Sequence, residues 1–285
     1  MREIERYSDD WFLDLYFQYG SVDEAIKRHD PTPPISPAQF HRLVRSRGII
    51  KAAGRHASLA EVIHFFAEKA IDPHVPLERL YYDEMPREFR TSVQTLHRIF
   101  RDVERKIIKK SGIALIITPP DEPEKILVGD EKNADRFYGK RIGDTSLLMG
   151  FAKKKEPIGD SILRILQQEF SNSLTLDGAL AKGGSLAREL IPQDVSPFMY
   201  YDIVDVRVQA INLHMHKDLY DLASCNSYKL TNHRFANMNE FDDDLNFRGG
   251  VIEIIDGYKN WLENEQEQSS PIYQTSSLNL ALARS

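Results

Sequence analysis

The sequence predicts an α+β protein, an all-helical first part followed by a strand-rich remainder, and three observations carry that reading. Helix start and stop signals crowd residues 9–48, where Ser21-Val-Asp-Glu24 and Ser36-Pro37 open helices and Gly20 and Gly48 close them. Short runs of β-branched and aliphatic residues dominate after residue 111, separated by turn-forming clusters. Charge divides at the same place. Residues 1–110 carry 19 basic and 17 acidic side chains, whereas the rest carry 18 and 26.

The helical part is read first. Asp9 to Tyr19 places Trp11, Phe12, Leu15 and Tyr16 on one helical face, and Gly20 ends it. Ser21-Val-Asp-Glu24 has the capping-box pattern of a second short helix running through Ile26. Pro31, Pro33 and Pro34 mark a turn. Ser36 then caps a third helix, Ala38 to Arg47, which turns Phe40, Leu43 and Val44 inward and Gln39, His41, Arg42 and Arg45 outward. Ser58-Leu-Ala-Glu61 caps a helix containing Val62, Ile63, Phe65 and Phe66, and Pro76 begins another. Thr91 to Lys110 reads as a connecting helix with Val93, Leu96, Ile99, Val103 and Ile107 at three- and four-residue spacing, a stripe most simply explained by core packing.

Between Lys27 and Arg55 the chain carries Lys27, Arg28, Arg42, Arg45, Arg47, Lys51 and Arg55 against Asp30 alone. A basic patch on an acidic chain is the electrostatic footprint of a docked polyanion. Two short helices, a turn and a basic third helix resemble the helix-turn-helix DNA-binding domains. That resemblance implies double-stranded DNA as partner, with Gln39, His41, Arg42, Arg45, Arg47, Lys51 and Arg55 as DNA-binding residues. In such a domain one helix enters the major groove and its polar side chains reach base edges. The turn from Thr32 to Ser36 is longer and richer in proline than in most such motifs. A helical bundle with a solvated basic face, or a module binding RNA or protein, accounts for the same composition.

The second part is a succession of strands. Gly112 to Thr118 and Lys125 to Gly129 flank a turn holding Pro119, Pro120, Asp121 and Pro123. Leu147 to Phe151 is a third strand, Met199 to Met215 is strand-rich, and Tyr228 to Phe235 reads as another strand. A helix from Arg248 to Leu262 closes the unit.

Between these strands lies the most informative spacing of the chain. Gly150 is followed six residues later by Glu156, then by Arg164, Leu166 and Glu169. This resembles the signature of the Nudix hydrolases, glycine, five residues, glutamate, seven residues, then arginine-glutamate-aliphatic-any-glutamate-glutamate. The resemblance covers roughly residues 111–263 and implies an α/β/α sandwich with a mixed sheet. Ile165 and Gln168 stand where two metal-binding glutamates belong, and Ser171 replaces a glycine. Magnesium takes oxygen ligands, so Ile165 contributes nothing and Gln168 only a neutral carbonyl. The pattern therefore implies a Nudix-like scaffold with no cofactor expected, no metal site, and Glu169 as its one remaining catalytic or metal-binding carboxylate; magnesium would be required only if the protein is hydrolytic. An amphipathic helix holding Ile158, Ile162, Ile165 and Leu166 explains the same spacing.

Several basic residues stand near the box. Arg136, Lys140 and Arg141 precede it, and Lys153, Lys154 and Lys155 lie within its loop, where they are candidate ligand-binding residues for an anion held without magnesium. Loop solvation is the plain alternative for the three consecutive lysines. Glu156 and Arg164, as in the family, are expected to brace loop against helix.

These readings divide the chain into residues 1–90 (helix-turn-helix-like), 91–110 (connecting helix), 111–264 (Nudix-like) and 265–285 (a polar, Gln/Ser-rich flexible tail). The pairing resembles the Nudix-related transcriptional regulators with the domain order reversed. It implies a regulator whose degenerate Nudix-like domain senses a nucleotide-derived or phosphorylated ligand, acting on two-fold DNA sites as a homodimer. The competing readings are a magnesium-dependent hydrolase of a nucleoside diphosphate derivative, with Glu240 or Asp242 to Asp244 supplying further carboxylates, and a non-catalytic scaffold for protein interaction. No apolar run approaches a membrane span, no signal-peptide core opens the chain, and the single cysteine, Cys225, fits a reducing, cytoplasmic setting. Cys225 is expected to be buried, although His214, His216 and His233 are near it in sequence.

Overall fold

A computed structural model of the protein describes residues 7–50, 93–133, 141–216, 222, 225–239, 241, 246–264, 270–276 and 279–280. The expected helices around Ser58 and Pro76 lie outside them, as do Lys51, Arg55, Arg136, Lys140, Glu240 and Asp242 to Asp244.

Three helices open the chain, α1 (Asp9–Tyr19), α2 (Val22–Arg28) and α3 (Pro37–Ser46). Each begins as its sequence dictates. Ser8 accepts a hydrogen bond from the Trp11 amide, Ser21 from the Glu24 amide, and Ser36 from the Gln39 amide. These bonds satisfy amides that have no partner inside the helix. Of the side chains the helical spacing turns inward, Phe12, Leu15, Tyr16, Phe40 and Val44 are buried in a small core, Trp11 and Leu43 are half-buried, and Leu13 joins the core without having been expected there. A fourth helix, α4 (Val93–Glu104), falls in the expected connecting stretch but stops early, and Lys110 already belongs to strand β1.

The strand-rich part forms two sheets. The larger has the order β4 (Leu148–Ala152), β1 (Lys110–Thr118), β6 (Val206–His214), β5 (Met199–Ile203), β8 (Ile272–Thr275). It is mixed, because β1 pairs in parallel with β6 and β5 in parallel with β8, while the other two pairs are antiparallel. The smaller is antiparallel, β3 (Thr145–Ser146), β2 (Lys125–Glu131), β7 (Leu230–Asn237).

Side chains alternate across a strand, so each face of β1 serves a different layer. Ile113, Leu115 and Ile117 pack with Ile162, Ile165 and Leu166 of the box helix, α5 (Ile158–Ile165), and of the π-helical turn Leu166–Phe170 that continues it. Ala114 and Ile116 pack with Val251, Ile254 and Tyr258 of α8 (Val251–Glu263). Two short helices, α6 (Asn172–Leu176) and α7 (Ser185–Leu190), follow the π-turn on the α5 side. Helices thus cover both faces of a mixed sheet, the layering that the box resemblance implies.

The stretch beyond residue 264 departs from the expected flexible tail. Ile272–Thr275 adds β8 to the sheet, and the Asn279 side chain is buried, accepting from the Val204 amide and donating to the Val204 carbonyl. Its polar composition conceals four residues that find a ready-made strand edge.

Candidate functional site

The loop from Ala152 to Pro157 returns the chain from β4 to α5, and Glu156 holds it. The Glu156 carboxylate accepts from the Lys153 amide, from the Ser161 hydroxyl and from Arg164, whose Nη2 lies 2.6 Å and Nε 3.4 Å away. Both charged side chains are withdrawn from water, Arg164 to 3% and Glu156 to 9% exposure. Burial alone would raise the Glu156 pKa, but the Arg164 and Ser161 hydrogen bonds and the guanidinium charge outweigh it and hold the carboxyl below its usual range. The expected brace is therefore present in full. Gly150 belongs to it too, since Ile165 packs directly over it and a Cβ there would sit 3.0 Å from the Ile165 Cγ1.

The other end of the box has been given different work. Ile165 is a core residue, 2% exposed. The Gln167 side chain is fully buried, donating through Nε2 to the carbonyls of Leu180 (2.7 Å) and Gly48 (3.0 Å) and accepting through Oε1 from the Ile50 amide (2.8 Å). Gly48 and Ile50 follow α3, so the box helix grips the exit of the helical unit. Gly48 suits the place: its φ is +67°, and a Cβ would come 2.7 Å from the Lys182 nitrogen, which itself donates to the Gly48 carbonyl. Tyr228 makes a second bridge, its hydroxyl donating to Asp14 of α1 at 2.7 Å. Burial and then that carboxylate raise the Tyr228 phenol to about 12, so it stays a donor.

Glu169 does not face an open metal site. Its side chain is 3% exposed, and Lys229 Nζ donates to its Oε1 at 2.6 Å and to Gln168 Oε1 at 3.3 Å. A hydrocarbon at 165, an amide at 168 and a carboxylate already carrying an ammonium do not fit a magnesium ion. Among the described residues no group of three or more His, Cys, Asp and Glu converges on a common point suited to a metal. Below the π-turn, His233 places Nδ1 3.0 Å from the Cys225 carbonyl and Nε2 3.0 Å from the Glu169 carbonyl. Burial favours the neutral ring and outweighs the two carbonyls, so the His233 pKa lies below its ordinary value. Cys225 is buried, as expected, and its backbone carbonyl faces His233 Nδ1.

On the opposite face of the sheet lies a shallow cleft. Gly112, Met149, Tyr201 and Val208 give it apolar walls, and Arg248 with Gly249 and Gly250 closes one side. Arg248 is held by the buried Glu131 carboxylate at 3.0 Å. Burial, then the Glu253 carboxylate, pushes the Tyr201 phenol well above its ordinary range.

The sequence-predicted residues are only partly gathered. Arg42 and Arg45 are exposed on α3. Gln39 instead completes the capping box of its own helix, accepting from the Ser36 amide and hydroxyl, and Arg47 is paired with Asp10 at 3.1 Å. His41 is half-buried beside them. Arg141 is exposed and its amide donates to Asp144, while Lys154 and Lys155 are exposed and Lys153 leans towards Glu156. None of these lysines, nor Arg141, lines the cleft. Sequence reasoning missed Lys229 and Arg248, whose partners lie 60 and 117 residues away.

The fold and site together define a class: a mixed-sheet sandwich with a braced glycine-to-glutamate box and, among the described residues, no cluster of metal-ligating side chains. No family model and no curated protein matches the chain. Among solved structures it is similar to a Nudix hydrolase from Nitrosomonas europaea, at 15% identity over 59% of this chain and 79% of that one, with a TM-score of 0.37. It is also similar to a MutT protein from Methanosarcina mazei Go1, at 11% identity over 57% and 99%, TM-score 0.37. A third is the Nudix domain of NrtR from Shewanella oneidensis complexed with ADP-ribose, at 11% identity over 66% and 99%, TM-score 0.35.

Proposed function

We propose that this protein is a DNA-binding transcriptional regulator whose Nudix-like domain binds a nucleotide-derived ligand without hydrolysing it. The observation that carries the reading is Gln167. Gln167, in the π-turn that continues the box helix, is hydrogen-bonded to Gly48 and Ile50 just beyond the basic helix α3, so the Nudix-like domain and the basic helix share one joint, across the sheet from the cleft. A ligand changes DNA affinity only by preferring one arrangement of that joint over another. The apolar cleft suits the flat face of a base, and Arg248 suits an adjoining phosphate. Arg42 and Arg45 meet DNA from the exposed face of α3, and a two-fold DNA site calls for a homodimer. No described helix is long and apolar enough to cross a membrane.

The test is binding of the full chain to random duplex DNA across a salt series, with selection of enriched sequences and ADP-ribose as the first ligand. Phosphate-driven binding weakens steeply with salt. The Arg42→Ala/Arg45→Ala variant is expected to lose about ten-fold or more in affinity while melting as the wild type does. No binding at low salt, or magnesium-dependent release of product from ADP-ribose, overturns the proposal.

A further inference from the structure

We infer that Lys229 is a built-in counter-ion, an ammonium that fills the cation position at the end of the box so that the domain is held together without a divalent metal. The inference rests on the Nudix-like reading of the box and is independent of DNA binding. Position 169 keeps its carboxylate, and a carboxylate this deeply buried needs a cation or a proton. Lys229 supplies a cation, reaching in from the turn before β7 to contact the two consecutive box positions 168 and 169. A glutamine at 168 suits that partner. It offers the ammonium a neutral acceptor without adding a second negative charge beside Glu169. Ile165 completes the change, since the position facing the sheet is filled with hydrocarbon and has no call on a cation.

The same lysine secures the turn that carries it. The Ser227 hydroxyl donates to the Glu169 carbonyl, the Tyr228 amide donates to Asn172 Oδ1, and the Tyr228 hydroxyl reaches Asp14. The ammonium on Glu169 is therefore part of one seam running from the box to α1. A diffusible metal would make that seam depend on metal supply, whereas a tethered lysine makes it permanent.

Manganese alone is the probe. The full chain is titrated with Mn²⁺ and bound ion is read by electron paramagnetic resonance, for wild type, Gln168→Glu, Gln168→Glu/Lys229→Ala and Gln168→Glu/Lys229→Arg. Wild type and Gln168→Glu are expected to bind no ion at the box, because Lys229 already holds it. Removing Lys229 leaves two adjacent carboxylates, and Gln168→Glu/Lys229→Ala is expected to bind at least about ten-fold tighter than Gln168→Glu. That factor is about 1.4 kcal/mol, well below the repulsion between an ammonium and a dication in contact. The arginine double variant keeps a cation in place and is expected to remain metal-blind. The inference is overturned if Gln168→Glu binds Mn²⁺ as tightly as the alanine double variant, if neither binds, or if the arginine double variant binds as the alanine one does. Should the alanine double variant fail to fold, the wild type decides: Mn²⁺ binding that disappears in Glu169→Gln overturns the inference, and its absence supports it.

Discussion

Between Glu156 and Arg164 the box keeps a closed set of charge-assisted hydrogen bonds, and between Ile165 and Glu169 it keeps only one carboxylate. The first half runs from the loop into α5 and the second is the π-turn that continues it, and Ile162, Ile165 and Leu166 from the two share one core. The different fates of the two halves separate two tasks that the sequence pattern runs together. The first half shapes a loop, and a loop of this shape requires Glu156 and Arg164 whatever the protein does. The second half, in a hydrolase, would hold metal; here its side chains pack against the sheet, grip the helical unit and meet Lys229. Positions in the second half join two parts of the chain, as Gln167 does with Gly48 and Ile50.

The largest effect that would sharpen this contrast is at Arg164. Arg164→Met leaves Glu156 buried without its guanidinium, and breaking one side of a buried pair costs about 3–5 kcal/mol. Chemical denaturation of wild type and variant checks it. A cost under about 1 kcal/mol would mean that water reaches the brace and that its conformation is held by something else.

Gln167→Ala should come next, at about 2–4 kcal/mol, because it strands the Leu180 carbonyl and the Ile50 amide and leaves the Gly48 carbonyl with the Lys182 amide alone. Its signature is local. Hydrogen exchange at the Ile50 amide should quicken more than exchange within β1, whereas Arg164→Met should loosen the box loop. Equal changes at both places would show that the joint and the core open as one unit.

These two positions also mark what could be read from the chain. The brace was legible because its partners are eight residues apart and follow a fixed spacing. The sheet was legible through runs such as Gly112 to Thr118, and the caps of α2 and α3 through Ser21 and Ser36, whereas the Ser8 cap of α1 was missed. Gln167 was not, since it sits at a position where the pattern accepts any residue and its partner is 119 residues away. Lys229 has no local signal at all, because a lysine before a strand is ordinarily solvated. The polar segment after residue 264 hid β8, whose place is set by the exposed edge of β5 and not by its own pattern. Nor did helical spacing show that Gln39 would turn back to cap its own helix.

Acid should reach the two halves in sequence. His233 has its pKa lowered in the fold, so below about 6.5 the unfolded chain takes up the proton first and stability falls as pH drops, until the folded-state value is passed. Glu156 is also lowered, so its contribution is complete above the ordinary carboxylate range and is lost only as pH falls through its folded value. Urea melts between pH 4 and pH 8 should show the histidine step at the higher pH, and His233→Gln should flatten that step alone. A slope unchanged in His233→Gln would place the neutralising event on another group.

The smallest effect tests whether depth, rather than pairing, separates the box from the helical unit. Arg47 and Asp10 form the same guanidinium–carboxylate contact as Arg164 and Glu156, at 3.1 Å, but are 39% and 63% exposed. Water and salt screen such a pair, so Arg47→Ala should cost no more than about 1 kcal/mol, and that little should fade in 1 M salt. A double-mutant cycle with Asp10→Ala isolates the pair from the rest of the side chain. Coupling above about 2 kcal/mol would mean that α1 and α3 are shielded from solvent in the full protein, and that the face assigned to DNA is covered. Coupling near zero leaves Arg47 able to give up Asp10 for a phosphate at little cost, which is what a basic helix that meets DNA requires.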